Sequence, residues 1–387
     1  MLERKASRFW RTITPCFLAL VTFPLVSCCG LSSNAVDSPQ KAYVAIDDGS
    51  IFARYAPVFA LQSYSESYNR IGAPAARLGE DGNEEVYIDT SSPVFYVQKQ
   101  EFQTPNGAYT NLIYRVHFER VPFPHLTTGR NGGLFVVITL NSDGRPVLIF
   151  TAHTCGCYPA FVPTSYLPEE RCPGGWDARG QRAFGQSLPG RLAYPKDFDA
   201  TWALLQNPLP APEAARSAAM QGGRSRRCRS IASPMQPDTA ARRCSRPKPG
   251  WGSATVPCRP VIVVRDGTHR VMDVRVEDVK EAAWRYEVIP TRLQPMEALE
   301  ALPLNGGTTS FFETAGAKKG LVKGSSKPLE FLLMSWWAFD PYVGRDKKLG
   351  DSQETGQTIY TSLKFWQRHE SDLWRFPQFL RFWGWRL

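Results

Sequence analysis

One short stretch of this sequence brings together three side chains that could do chemistry. His153, Cys155 and Cys157 stand at alternate positions. In an extended chain, alternate side chains point to the same side, so an imidazole and two thiols would converge at the end of a strand. Thiolates combined with imidazole are ligands for zinc or cuprous copper. The spacing therefore indicates a candidate metal site, although it differs from the paired Cys-x-x-Cys signatures.

Other residues could complete this site or give it a different chemistry. A fourth metal ligand could come from Cys172, Cys258 or His269. Alternatively, Cys155 or Cys157 could be a nucleophile with His153 or His269 as its base and an aspartate such as Asp266 to orient that base, because a thiol is activated by a neighbouring imidazole. The sequence contains no glycine-rich phosphate loop with a following lysine, no Gly-x-Ser-x-Gly turn and no His-Glu-x-x-His pair. Whether the protein is an enzyme is left open.

The segments around this cluster have the patterns of β-strands. Residues 112–119 alternate apolar with mostly polar side chains, including Arg115 and His117, which predicts a half-buried strand. Two further pairs of apolar runs each flank an Asp-Gly turn: 134–140 with 147–150, and 261–264 with 271–276. Asp-Gly favours the positive backbone angles of a tight hairpin, so an antiparallel sheet is expected.

The C-terminal third has a different composition. Residues 277–286 and 296–302 favour helix, and residues 363–387 combine tryptophans with arginines. That combination is typical of a helix lying in a membrane surface, and equally of a terminal helix packed on a sheet. Pro377 interrupts any long helix, so packing is favoured. The predicted fold class is α+β: an antiparallel β-sheet-rich body with short helices packed from the C-terminal third.

The N-terminal region has the layout of a secretory signal. A basic head precedes an apolar run at 17–26, which is too short to span a bilayer as a permanent helix. The run ends in Leu25, Val26, Ser27 and Cys28, which resembles the lipobox of bacterial lipoproteins. The resemblance covers only about the first 29 residues and implies that the mature chain begins at a lipidated Cys28.

This resemblance also implies a location. The residue after Cys28 is Cys29 and not aspartate, which is similar to lipoproteins that are sent to the outer membrane. A lipid-anchored protein of the bacterial outer membrane is therefore expected. The alternative is an ordinary signal peptide cut near the same place, which would give a periplasmic or secreted protein.

Export changes what the cysteines are expected to do. Four thiols remain for the body once those of the N-terminal region and of a basic segment are set aside: Cys155, Cys157, Cys172 and Cys258. In an oxidising compartment these could form two disulfides. A bridge from Cys155 to Cys157 would close a small ring, so bridges from each to Cys172 and Cys258 are favoured. Disulfide and metal ligation exclude each other at the same sulfurs.

The basic charge of the chain is concentrated in two places. Of the net charge of +10, the N-terminal signal contributes +3 and residues 213–248 contribute +7, so the remainder is neutral. No nucleic-acid partner is expected for such a body. Residues 208–250 are rich in Arg, Ser, Pro and Ala and are predicted to be a disordered insertion. A basic arm for anionic ligands and a stretch translated out of frame are the alternatives.

These features predict five segments and two functional possibilities. The segments are a signal peptide (1–27), a lipidated tether (28–40), a β-rich domain (41–207), the insertion (208–250) and a hairpin with helical, aromatic-rich part that completes the same domain (251–387). The first possibility is an envelope lipoprotein with a binding or structural role, without a cofactor, whose partners are the membrane and an envelope protein. The alternative is an envelope metal-binding protein or enzyme using zinc or copper at His153, Cys155 and Cys157.

Overall fold

The computed structural model describes residues 41–194, 258–278, 282 and 285–387. The predicted signal peptide, the tether with Cys28, and the insertion at 208–250 lie outside the described residues. Within the described part, no helix is long and apolar enough to span a bilayer.

Strands dominate the described chain, as expected for a mostly β body. The strands are β1 (Lys41–Ala45), β2 (Val58–Leu61), β3 (Ile71–Leu78), β4 (Glu84–Asp89), β5 (Val94–Thr104), β6 (Gly107–Val121), β7 (Gly129–Leu140), β8 (Pro146–His153), β9 (Ala160–Pro163), β10 (Gln181–Ala183), β11 (Gln186–Leu188), β12 (Cys258–Val264), β13 (Val271–Asp278), β14 (Glu287–Pro295), β15 (Leu302–Leu304) and β16 (Gly307–Thr309). Twelve of them form one sheet in the order β13-β12-β2-β1-β14-β5-β6-β7-β8-β9, with β3 pairing β6 and β4.

The helices are few and short. The α-helices are α1 (Ile51–Tyr55), α2 (Pro328–Ala338), α3 (Ser352–Thr355) and α4 (Phe376–Phe382). Single turns of 3-10 helix cover Ser67–Asn69, Glu169–Arg171, Met296–Glu300, Gly316–Lys318 and Phe365–Gln367. The helical segment expected at 296–302 is therefore only one of these short turns.

Both predicted hairpins are confirmed. β7 and β8 are joined through a turn in which Gly144 has a φ of +73°, and β12 and β13 through a turn in which Gly267 has a φ of +67°. Most strand pairs of the large sheet are antiparallel, as expected, but the sheet is mixed, because β1 pairs with β14, β2 with β12, and β5 with β14 in parallel. These strands come from distant parts of the chain, so no tight turn forces them to run antiparallel.

The strand predicted at 112–119 is confirmed as part of β6, but the expectation that one of its faces is solvated is wrong. Leu112, Tyr114 and Val116 pack into a core on one face of the sheet, and Ile113 packs into a core on the other face. Since both faces are covered, the polar side chains of Arg115 and His117 are buried as well. A strand covered on both faces cannot keep a solvated side.

The C-terminal residues contribute aromatic side chains to one of these cores. The ring of Phe379 in α4 lies 4.9 Å from that of Phe150 and 5.5 Å from that of Phe161, centroid to centroid. Trp385 is fully buried beside Trp176. Burying such rings removes a large apolar area from water, which stabilises this end of the chain against β8 and β9.

Candidate functional site

The cysteine cluster lies in a turn that follows β8. The His153 amide donates to the carbonyl of Cys157 (2.9 Å), and the Gly156 amide donates to the carbonyl of His153 (2.8 Å). Gly156 has a φ of +95°, which an L side chain rarely adopts. The turn, and not the extended strand expected from the spacing, brings the three side chains together. Their ligand atoms all lie within 4.8 Å of one another.

The two sulfurs of this cluster are joined. Cys155 and Cys157 form a disulfide with their Cα atoms 5.6 Å apart, within the usual range. The expected pairing of each with Cys172 or Cys258 is therefore wrong, because the turn at Gly156 folds the two neighbours onto each other. Cys155 is buried, whereas Cys157 is only half-buried.

The other predicted cysteines do not join this cluster. Cys172 packs into the core on one face of the sheet and Cys258 into the core on the other. Burial raises the pKa of the Cys172 thiol. That thiol borders a cavity of about 410 Å³, where the Arg191 guanidinium lies 3.9 Å from its sulfur.

The predicted histidine partner reaches the site through its backbone. The His269 carbonyl lies 3.2 Å from Nε2 of His153, and its ring stacks on Phe118 with 4.0 Å between centroids. Asp266, the expected orienting group, instead accepts a hydrogen bond from Asn69 (2.7 Å). The structure therefore does not form the predicted thiol, histidine and aspartate triad.

The environment of His153 determines its ionisation. Burial, together with the positive charge of Lys327, lowers the pKa of His153 to about 3, so the imidazole is neutral at pH 7. With Nε2 donating to the His269 carbonyl, Nδ1 carries the lone pair. A neutral imidazole fixed in one tautomer by a carbonyl is the arrangement found in protein metal ligands.

Three charged residues beside the bridge were missed by the sequence analysis. The Lys327 ammonium lies 3.1 Å from the Asp346 carboxylate, with side chains 3% and 0% exposed. The Thr154 hydroxyl donates a hydrogen bond to the same carboxylate. The Cys157 sulfur lies 3.4 Å from Oε1 of Glu330. One signal was visible: Glu330 is the single charge in the apolar run 329–339.

Burial also changes the ionisation of Glu330. Removal from water raises the pKa of this carboxyl, Lys327 partly offsets the rise, and the Asp346 charge adds to it. The carboxyl therefore holds its proton to a higher pH than an exposed glutamate. A protonated carboxyl can give a proton to a neighbouring thiolate, and its ionised form can take the proton back.

Hydrogen bonds through Lys347 connect the cysteine turn to strand β6. The Lys347 amide donates to the Thr154 carbonyl (3.1 Å), and the Arg115 guanidinium donates to the Lys347 carbonyl (2.9 Å). Arg115 also donates to Nε2 of His117 (3.0 Å). The polar side chains of β6 that the pattern assigned to solvent therefore connect the sheet to the turn that carries the bridge.

Similarity to other proteins gives no further information about these residues. No protein-family model, curated protein or solved structure matches the chain. The chemistry of the site follows from its own side chains: a half-buried disulfide, a buried carboxyl 3.4 Å from its Cys157 sulfur, and a neutral imidazole with a ring nitrogen within 4.8 Å of both sulfurs.

Proposed function

We propose that this protein is a lipid-anchored protein of the bacterial cell envelope whose body carries a thiol–disulfide exchange site at Cys155 and Cys157. The lipobox resemblance that ends at Cys28 supports the location. Between it and Lys41, residues 28–40 would reach at most about 45 Å when fully extended. The outer membrane is the proposed site of anchorage, and an envelope protein with accessible thiols is the proposed partner.

The proposal of exchange depends on one observation, which is the carboxyl of Glu330 at 3.4 Å from the Cys157 sulfur. A bridge that only stabilises a fold needs no proton donor. An exchanging bridge does, because each cleavage releases a thiolate that must be protonated. Burying a carboxyl is costly, so its place against the half-buried sulfur supports a chemical role.

The short separation of the two cysteines supports the same conclusion. A disulfide stabilises a fold mainly by restricting the unfolded chain, and the effect grows with the length of the closed loop. For a loop as short as 155–157 the chain-entropy model gives about 1.5 kcal/mol, against about 3 kcal/mol for a 15-residue loop. Structural stabilisation is therefore a weak reason for this bridge.

The exchange can be written as balanced steps. A thiolate of the partner attacks the Cys157 sulfur, the bridge breaks, and the electron pair leaves on Cys155, which takes up a proton. A second thiol of the partner then attacks the mixed disulfide and releases Cys157 as a thiolate, which Glu330 protonates, and the proton lost by that second thiol returns to the Glu330 carboxylate. The partner has then lost two electrons and two protons to the bridge, which becomes a dithiol. The reverse sequence oxidises the dithiol.

A redox titration of the folded protein tests this function. In glutathione buffers, we expect Cys155 and Cys157 to become alkylatable together at a potential above about −300 mV, with unchanged circular dichroism. Glu330→Gln should slow formation of the free dithiol about tenfold or more at pH 7, because it removes the group that protonates the released Cys157 thiolate. Cys172→Ser is the control and should change nothing. A bridge that opens only when the protein unfolds would contradict the proposal.

The second candidate function is the binding of a soft metal ion by the protein when Cys155 and Cys157 are reduced. The observation that favours it is the convergence of His153, Cys155 and Cys157 within 4.8 Å, with the imidazole neutral. Their donor set of one nitrogen and two sulfurs suits zinc or cuprous copper. One ion bound per reduced chain, weakened 10- to 100-fold by His153→Ala, would support this candidate. Failure of the reduced chain to retain either ion would remove it.

We also propose that the C-terminal helices complete the same domain and give it the α+β class. The shared aromatic core of Phe150, Phe161 and Phe379 supports this architecture. The carbonyl of Trp374 accepts a hydrogen bond from Gln100 of β5 (2.8 Å), which is a second link between the last residues and the sheet.

A further inference from the structure

The polarity of helix α2 is inverted relative to an ordinary surface helix. Its single ionisable residue, Glu330, points inward and is 5% exposed. Its outward side chains are large and apolar: Leu332 is 69% exposed, Trp336 63% and Trp337 67%. Water disfavours this arrangement, because a surface helix normally exposes its charged face and buries its apolar one.

The apolar surface continues beyond the helix. The ring of Phe339, 73% exposed, lies 5.5 Å from that of Phe365, which lies 5.0 Å from that of Trp366, centroid to centroid. We call the following set the aromatic surface: Leu332, Trp336, Trp337, Phe339, Phe365 and Trp366. Contiguous apolar patches of this kind on a folded protein mark binding surfaces.

We propose that the aromatic surface docks into the interfacial region of a phospholipid bilayer. Tryptophan is enriched at that depth, because its ring is apolar and its indole N–H can reach the headgroups. The exposed residues of α2 carry no charge that insertion would have to desolvate. A protein-binding surface normally has hydrogen-bonding groups at its rim. The outward face of α2 has few such groups besides the two indole N–H groups, so a bilayer fits it better than a partner protein.

Basic side chains border the aromatic surface. Lys364 is exposed next to Phe365, and the Arg368 guanidinium, which is 22% exposed and 4.0 Å from the Asp340 carboxylate, donates to the carbonyl of Ala338 at the end of α2. Cations at the edge of an inserted apolar face are attracted to anionic headgroups. Charge complementarity therefore favours a bilayer that contains anionic lipid.

The proposed tether and this surface act together. A lipid on Cys28 would hold the body within about 45 Å of the bilayer, where a weakly inserting surface can engage. Because Glu330 belongs to the same helix as the inserting residues Leu332, Trp336 and Trp337, docking would hold the disulfide site close to the membrane. This part depends on the proposed function, whereas vesicle binding by the unlipidated chain does not.

The test uses the chain from residue 28 onward carrying Cys28→Ser, so that it has neither signal nor lipid. It is mixed with vesicles of phosphatidylethanolamine and phosphatidylglycerol at roughly 3:1, and separately with vesicles of phosphatidylcholine alone. The ionic strength is kept low, because salt screens the attraction between basic side chains and anionic lipid. We expect cosedimentation, a blue shift of tryptophan emission and quenching by brominated acyl chains, all stronger with the anionic vesicles. Trp336→Ser with Trp337→Ser should lower the partition coefficient at least tenfold.

Ile51→Ser is the matched control, because Ile51 is also an exposed large apolar residue. It lies in α1, whose Tyr55 bonds the β7–β8 turn at Gly144, away from the cysteine turn at the other end of β8. The control should bind vesicles as the parent does. Absence of binding by the parent, or equal binding by the double variant, would overturn the proposal. So would a dimer of the parent that the double variant dissociates, since the surface would then bind a second copy.

The failure of this proposal and that of the proposed function are distinguishable. Mass spectrometry that finds no lipid on Cys28 would remove the anchor and leave vesicle binding unaffected. If the bridge does not exchange with thiols, the proposed thiol–disulfide function fails, and vesicle binding is again unaffected. Loss of vesicle binding would leave both of those results unchanged.

Discussion

Replacing Asp346 with asparagine is expected to lower the free energy of unfolding by about 3 kcal/mol. Asp346 is fully buried and pairs with the buried ammonium of Lys327. Burial alone would lower the pKa of Lys327, but the carboxylates of Asp346 and Glu330 outweigh that effect and raise it. Without the charge of Asp346, the ammonium keeps its desolvation cost and loses its closest counter-charge. Denaturant unfolding at pH 7 measures the loss.

Two further variants separate this effect from the general cost of substitution. Glu300→Gln removes one half of an exposed pair with Lys348 (2.7 Å) and should cost less than about 1 kcal/mol. The double change Lys327→Met with Asp346→Leu should cost less than Asp346→Asn, because it leaves no charge behind. If Asp346→Asn and Glu300→Gln destabilise equally, the buried pair contributes no more to the free energy of unfolding than an exposed pair does.

Replacing Gly156 with alanine is expected to cost about 2–5 kcal/mol, for two separate reasons. Its φ of +95° is a conformation that a side chain opposes. An added Cβ would also overlap the carbonyl oxygen of Tyr360, which is backbone and has little freedom to move away. Because Gly156 separates the bridged cysteines, the variant should also open its disulfide faster in glutathione. Denaturant unfolding and thiol alkylation measure the two effects.

Gly132→Ala provides the control for this substitution. No atom lies within 4 Å of the position that its Cβ would take, and its φ is not in the left-handed region. It should change the unfolding free energy by less than about 1 kcal/mol. Equal losses for the two variants would mean that the turn at Gly156 is not packed against Tyr360 as the structure shows.

Local sequence signals predicted the two hairpins. The strand order of the sheet and the burial of polar side chains depend on long-range packing, which these signals do not contain. Asp-Gly turns define their hairpins because the required backbone angles depend on two residues only. The position of β14 between β1 and β5 depends on contacts between distant segments, which no local pattern contains. The burial of Arg115 has the same origin: its alternation indicates a strand but not whether a second layer covers its polar face.

The sequence predicted which residues of one segment form the candidate site, but it did not predict the geometry of that site. The alternation of His153, Cys155 and Cys157 predicted that they lie together, but it did not predict that a turn would bring the two sulfurs close enough to bond to each other. The positive φ of Gly156 made the turn, and glycine alone does not specify whether that freedom is used. Glu330 comes from a distant helix, so its place against Cys157 could not be read from spacing.

The aromatic C-terminal residues show why composition alone was ambiguous. Tryptophan serves both a core and a membrane surface, and the structure contains both outcomes. Trp385 is buried under β9, while Trp366 is exposed with the outward residues of α2. Which tryptophans are exposed depends on the fold around them.

The most direct test of exchange at the bridge is to trap its intermediate. Cys155→Ser removes the sulfur that would resolve a mixed disulfide, so Cys157 should accumulate one glutathione adduct per chain when treated with oxidised glutathione. Peptide mass spectrometry locates the adduct. Cys157→Ser, which leaves the buried Cys155 as the remaining cysteine of the pair, should react about tenfold or more slowly, and buried Cys172 serves as the internal reference. Equal reaction of both variants, or an adduct on Cys172 alone, would contradict the assignment of Cys157 as the exchanging thiol.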